Sequence, residues 1–267
     1  MDDKMIRHHQ FKTSFYRREK TYQILSVVAV FIFIVGGIEI YTRISAIPAY
    51  ILPPPSLVLN ELKKLLLSSL FWDNLFVTMK EVVFGFLFAI VLAVVFGVAI
   101  AQIKVFQLAF MPYIIAFQTI PTVALAPILL QWFGYGLTSK VIMAALISFF
   151  PMLVNIVAGL QSARQQDIQM MKAFGATQIQ ILMKVKFPAS LPFVFTGVGL
   201  GIIFALIGAI VAEFIGAQKG LGTMMLQLIE SFNIAGMFAV LMVLSLIGVC
   251  LHLLVEYAKA KIVFWKE

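Results

Sequence analysis

The chain has 267 residues, of which 62% are hydrophobic and 12% charged, and its formal net charge is +8. Soluble domains are close to half apolar and a quarter charged, so this composition excludes a soluble globular protein and predicts an integral membrane protein. The basic excess does not call for a nucleic-acid partner, because lysines and arginines that flank spans on the cytoplasmic side explain it.

A basic segment precedes the first membrane span. Residues 1–21 carry six lysines and arginines, and the first span is predicted at 22–41. Anionic lipid attracts such segments, so we interpret residues 1–21 as a cytoplasmic arm at the membrane surface. A cleaved signal peptide is the alternative, but the apolar run is long and no A-x-A site follows it.

The longest outer loop is predicted at 43–75. Pro53, Pro54 and Pro55 make it stiff and extended, and Ser56 is of a residue type that caps helices. We therefore predict an amphipathic helix from 57 to about 70 that lies in the membrane interface. Lys80 and Glu81 follow, and we expect them at the membrane edge, where such side chains snorkel or pair.

Five further apolar runs are long enough to span a membrane, which takes roughly 20 residues. Prolines at 112, 121 and 127 interrupt the third span, and such bends are tolerated where they pack on protein or line a cavity. The fifth span is rich in glycine and alanine, which indicates either close helix packing or pore lining. The predicted bounds are 77–103, 105–133, 139–160, 191–215 and 234–257, with a second outer loop at 216–234.

The distribution of basic residues sets the orientation. With six spans and both termini inside, 14 of the 20 lysines and arginines lie on the inner side and six on the outer side. The positive-inside rule favours this arrangement. We therefore predict an all-α protein with six transmembrane helices and both termini cytoplasmic. It is organised as the arm 1–21, a transmembrane domain 22–258 with a cytoplasmic loop 161–192, and a cytoplasmic tail 259–267.

The loop 161–192 is the longest polar interruption in the second half of the chain. Its apolar residues recur at three- to five-residue steps, which is typical of helices with one apolar face. Gly175 breaks the pattern, and Thr177 with Gln180 forms a capping box that predicts the start of a second short helix. Pro188 and Pro192 are expected to end that helix and begin the next span. A helix–turn–helix with one apolar face suits docking into a groove on a soluble partner.

This loop resembles the cytoplasmic EAA loop of the membrane subunits of binding-protein-dependent ABC importers. The family pattern is Glu-Ala-Ala, three residues, glycine, nine residues and Ile-x-Leu-Pro. Here Gln169-Met170-Met171 replaces the first three residues, Gly175 is the glycine, and Val185-Lys186-Phe187-Pro188 ends the pattern at the same separation. The resemblance implies that residues around the turn couple the chain to an ATPase. They are Asp167, Gln169, Met170, Met171, Ala173, Phe174, Gly175, Ala176 and Pro188.

Other short motifs resemble the nitrate, sulfonate and taurine branch of these permeases. The resemblance implies the type I importer permease fold in the cell's inner or plasma membrane, with two permease copies, most simply a homodimer. It also implies two ATPase subunits that bind ATP and Mg, and an extracytoplasmic binding protein. The motifs are Pro53-Pro54-Pro55-Ser56, Ile120-Pro121, Ala126-Pro127, Trp132-Phe133-Gly134, residues 155–160, Arg164 with Asp167, and Glu213-Phe214 before Gly220-Leu221-Gly222.

The chain itself offers no recognisable catalytic chemistry. It contains no P-loop motif, and no other metal-ligating residues stand near its histidines at ligand spacing. We therefore predict a non-enzyme without its own cofactor or metal. A membrane-embedded enzyme would need Asp, His or Ser clustered at depth, and no such cluster is recognisable. A stand-alone carrier or channel is the alternative, although it leaves the loop 161–192 unexplained.

We therefore predict a permease subunit that imports a small polar solute, such as a sulfonate, taurine, nitrate or a vitamin precursor. No buried Lys or Arg is expected for binding an anion. For Glu213, a functional role in the membrane and a structural role in capping or pairing at the outer mouth both remain open. The candidate pathway residues are Gln118, Thr122, Asn155, Thr196, Gly201 and Glu213.

Overall fold

The computed structural model describes the backbone of residues 3–264 and the side chains of Tyr22 and residues 25–264. Within that range the chain is helical and forms no strand. The side chains of the predicted arm 1–21 and the last residues of the predicted tail, 265–267, lie outside the described residues. The helices are α1 (Asp3–Ile44), α2 (Pro55–Leu66), α3 (Ser69–Gln102), α4 (Lys104–Thr119), α5 (Ala126–Phe133), α6 (Leu137–Gln161), α7 (Gln165–Ala173), α8 (Gln178–Ile181), α9 (Phe187–Gly216), α10 (Leu221–Glu230) and α11 (Ile234–Ile262).

The number of membrane spans depends on one bent helix pair. Five of the described helices are long and apolar enough to cross a membrane, and there are six spans if the bent pair counts as one. That pair is α4 and the segment Thr122–Phe133, which meet at 87°. The break follows Ile120, whereas Pro112 lies inside α4 and Pro127 lies in the first turn of α5, where its missing N–H is not needed. The third span is therefore broken at Pro121, one of the three prolines that were predicted to interrupt it.

Three helices, α3, α6 and α9, form the centre of the molecule, and small residues bring them close together. A Cβ atom added to Gly208 of α9 would lie 2.7 Å from the Cα of Ala144 in α6, and one added to Gly85 of α3 would lie 2.5 Å from the Cβ of Ala144. The seven glycines and alanines noted in the fifth span are all buried in α9. Close helix packing accounts for them.

Helix α1 packs against α2 through a polar contact near its outer end. Glu39 accepts hydrogen bonds from the backbone N–H of Ser56 at 2.9 Å and from its hydroxyl at 2.8 Å. The expected cap by Ser56 is therefore wrong, because Pro55 starts α2 early and places Ser56 inside the first turn. The carboxylate of Glu39 meets the free N–H at this helix N-terminus instead. The helix also ends at Leu66, earlier than predicted.

Three other predicted boundaries differ from the structure. Helix α3 begins at Ser69, eight residues before the predicted span, which places Glu81 well inside the helix and not at its edge. The chain stays helical from Gln178 to Gly216 through a π-helical turn at Leu182–Lys186, so Pro188 ends no helix. A π turn accommodates the altered backbone hydrogen bonding near a proline. Helix α11 extends to Ile262, so the first residues of the predicted tail belong to it.

Candidate functional site

The loop 161–192 folds as the predicted helix–turn–helix. Helix α7 ends at Ala173, and Gly175 reverses the chain with φ of 75°, a left-handed conformation that glycine adopts without strain. The backbone N–H of Gln180 donates to Thr177 Oγ1 at 3.3 Å, and the N–H of Thr177 donates to Gln180 Oε1 at 2.8 Å. The predicted capping box at the start of α8 is thereby confirmed.

Apolar side chains project from this turn. The side chain of Phe174 is 82% exposed, and those of Met170 and Ile179 are also exposed. We call these three residues the apolar turn. Exposed apolar residues beside polar ones, as Gln169 and Gln180 are here, are typical of a protein-binding surface.

A groove of about 720 Å³ separates α7 from the start of α9. Of the predicted coupling residues, Asp167, Met170, Met171 and Pro188 line this groove. The structure thus brings the two ends of the sequence motif to one place. The remaining members lie outside the groove: Gln169, Ala173, Phe174 and Gly175 are exposed on α7 and the turn, and Ala176 is half-buried.

A buried polar cluster lies at the other end of α9. It joins Asn74, Thr78 and Glu213 to the backbone of residues 220–222, and we call it the outer cluster. The hydroxyl of Thr78 donates to Glu213 Oε1 at 2.6 Å, and the N–H of Gly222 donates to Oε2 at 2.5 Å. Thr78 Oγ1 also accepts the N–H of Leu221 at 2.8 Å, and Asn74 Oδ1 accepts the N–H of Gly220 at 2.7 Å. These bonds satisfy the free N–H groups at the start of α10 and fix it against α3 and α9.

An ion pair adjoins this outer cluster. Lys140 Nζ lies 3.1 Å from Glu81 Oε1, and the two residues are 5% and 0% exposed. Glu81 therefore pairs, as one of the two expected alternatives for it, and its partner is the buried Lys140. Because Glu81 neutralises Lys140, that ammonium is already paired and is not free for an anionic solute.

The family model of the binding-protein-dependent transport system inner membrane component matches residues 85–263. The chain belongs to this family. It is thus a multi-pass inner-membrane permease component of an ABC transporter, a class that works with an ATPase and a binding protein. The permease is 36% identical over 223 residues to the riboflavin transport system permease protein of Chloroflexus aurantiacus, covering 84% of this chain and 83% of that one.

Other relatives confirm the predicted branch. The formylaminopyrimidine transport permease protein of Halalkalibacterium halodurans is 34% identical over 232 residues, which cover 86% of this permease and 92% of the relative. The aliphatic sulfonates permease of Bacillus subtilis and the taurine permease of Escherichia coli match at 25% and 26%.

The inward-facing structure of the MetNI methionine ABC transporter shares the fold of this permease. The TM-score is 0.62 at 22% sequence identity, covering 73% of this permease and 94% of that chain. This likeness confirms the predicted importer permease fold.

The candidate pathway residues of the permease do not form one cluster. Gln118 and Thr122 flank the break after α4, and Asn155 of α6 lies beside Gly197 of α9. Thr196 is exposed and bonds to its own helix. Gly201 packs against Met152, and Glu213 is 1% exposed within the outer cluster.

The motif that joins Glu213 to Gly220-Leu221-Gly222 marked part of the outer cluster, but the sequence carried no signal for its link to Asn74 and Thr78 of α3. Glu213 was the one member among the candidate pathway residues. The described residues contain no group of three or more His, Cys, Asp or Glu that would hold a metal ion.

Proposed function

We propose that two copies of this permease form the substrate pathway of an ABC importer, and that each of two ATPase subunits docks on the apolar turn. The exposure of Phe174 supports this proposal, because a phenylalanine in water at a loop tip is unfavourable unless a partner covers it. The absence of a P-loop motif from the chain agrees with an energy source on another subunit.

A continuous helical stretch connects the proposed docking site to the outer cluster. It runs from Gln178 to Gly216, which is 39 residues or about 58 Å of helix. Glu213 lies near its outer end and holds α10 through Gly222. A push on the apolar turn would therefore act along α9 on both the centre of the molecule and the outer loop. Rigid elements of this kind carry coupling between distant sites when they have two arrangements.

For the substrate, we propose an uncharged heteroaromatic solute of the pyrimidine or flavin kind. The observation that carries this choice is the higher identity to the riboflavin and formylaminopyrimidine permeases than to the sulfonate and taurine permeases. The buried charges agree with it. Lys140 is the one buried cation among the described side chains, and it is paired with Glu81.

Uptake into proteoliposomes tests both parts of the proposal. The permease, with the ATPase and binding protein that copurify with it, is reconstituted and supplied with labelled riboflavin, a formylaminopyrimidine or taurine. We expect ATP-dependent uptake of one of the first two. Uptake of taurine alone would overturn the substrate class. Uptake by the permease without ATPase would favour a stand-alone carrier instead.

A further inference from the structure

A second, smaller pocket lies between α7 and the inner ends of the membrane helices. Its volume is about 280 Å³. The charged residues in its wall are Lys172 and Lys186, and no carboxylate lines it. The neutral polar residues of the wall are glutamines, which offer further N–H donors. They are Gln107, Gln161, Gln165 and Gln178.

The two lysines face the same space. The Lys186 ammonium donates a hydrogen bond to Gln102 Oε1 at 2.7 Å, which holds it at the end of α3. Lys172 is close enough for its charge to act on Lys186. Two ammonium groups in one pocket repel each other, and an anion placed between them attracts both and outweighs that repulsion.

This pocket and the groove lie on different faces of α7. Gln165, Ile168 and Lys172 follow at steps of three and four residues, so they share one side of the helix. Asp167 and Met170 line the groove on the other side. Met170 of the apolar turn therefore lies on the side of α7 that faces away from the lysine pocket.

The depth of the pocket indicates what kind of anion it meets. Gln161, the last residue of α6, lines the pocket. Gln102, the last residue of α3, accepts the hydrogen bond from Lys186. Spans end where lipid headgroups begin, and anionic headgroups attract lysines at that level. Phosphate oxygens accept hydrogen bonds from both ammonium and amide groups.

We propose that the Lys172–Lys186 pocket binds a phosphate group, and that an anionic lipid headgroup supplies it. The bound headgroup ties α7 to the inner ends of α3 and α6, next to the segment that would receive the ATPase. The pocket is a property of the permease alone. Its test therefore succeeds or fails independently of ATPase docking.

The test measures lipid retained by the full-length chain in neutral detergent, by native mass spectrometry, with phosphatidylglycerol or phosphatidylcholine added. We expect preferential retention of phosphatidylglycerol. Lys172→Gln with Lys186→Gln should weaken it about 30-fold, because each lysine near an anionic surface contributes about a fivefold factor. The charge-matched pair Lys184→Gln with Lys261→Gln, whose lysines lie outside this pocket, should leave it nearly unchanged.

Two further arms complete the experiment. Inorganic phosphate should displace phosphatidylglycerol; if phosphate binds while phosphatidylglycerol is retained no better than phosphatidylcholine, the site takes soluble phosphate and the lipid source is wrong. If the double variant does not fold, the single variant Lys172→Gln, at an exposed position, decides with an expected loss of about fivefold. Retention of phosphatidylglycerol by either lysine variant at the wild-type level overturns the proposal. Equal retention of both lipids by the wild type, with no effect of phosphate, also overturns it.

Discussion

Thr78 and Glu213 are joined by a hydrogen bond of 2.6 Å although 135 residues separate them in the chain. Both are buried, and the same hydroxyl accepts the N–H of Leu221. One threonine therefore connects α3, α9 and the start of α10. The contact holds the outer loop against α9, and the inner end of α9 follows the apolar turn.

Replacing Thr78 by valine should destabilise the permease by about 2 kcal/mol, because the variant leaves the Leu221 N–H and a Glu213 oxygen buried without their partner. Thermal unfolding in detergent measures this. Thr196→Val is the matched control, since Thr196 is exposed and bonds to Pro192 in its own helix. We expect the control to change stability by less than about 0.5 kcal/mol. Equal effects of the two variants would contradict the role of Thr78.

The Glu81–Lys140 pair should behave as a buried ion pair in a double-mutant cycle. Each single change, Glu81→Met or Lys140→Met, removes one partner of the buried pair and should cost about 3 to 5 kcal/mol. The double variant should be more stable than either single variant. The half-buried pair Glu256–Lys259 within α11 provides the comparison, with a coupling energy below about 1 kcal/mol. Additive effects at Glu81 and Lys140 would argue against the pairing.

The turn at Gly175 and the outer cluster show which features the sequence could reveal. The turn at Gly175 and the capping box at Thr177 depend on residues within a few positions of each other, so local patterns predicted them. The outer cluster depends on contacts between distant helices, and no spacing rule marks them. The start of α3 at Ser69 was missed because the continuous apolar pattern of the span begins later in the chain. Ser56 was misassigned because its partner, Glu39, belongs to another helix.

Acid should weaken the attachment of α2 to α11. A hydrogen bond from the Lys64 ammonium and a weaker one from the Asn233 amide hold the pKa of Glu61 below its ordinary value of 4.5. A lowered carboxyl pKa stabilises the folded state above the unfolded value, and that contribution disappears as the pH falls below 4.5 through the folded value. Thermal stability of the wild type should therefore fall more steeply with acid than that of Glu61→Gln. Parallel curves for the two proteins would contradict this.

Substitutions at Gly175 should separate backbone conformation from crowding. A side chain added there meets no atom within 4 Å, but φ is 75°. Asparagine tolerates this conformation, whereas a β-branched residue is strongly strained in it. Gly175→Asn should therefore keep most ATP-dependent uptake, and Gly175→Val should lose most of it while the purified permease still folds. Normal uptake by Gly175→Val would mean that the turn does not need its observed geometry.

The proposed docking of an ATPase on the apolar turn is tested most directly by a cysteine at position 174. In a Cys250→Ser background, Phe174→Cys is exposed to a membrane-impermeant maleimide and to a short cross-linker, with Leu67→Cys as the control on the opposite side. We predict that Phe174→Cys is labelled only in inverted vesicles and is cross-linked to the ATPase, whereas Leu67→Cys is labelled only from outside. Labelling of Phe174→Cys from outside, or a functional complex in which it never cross-links to the ATPase, would contradict the proposed function.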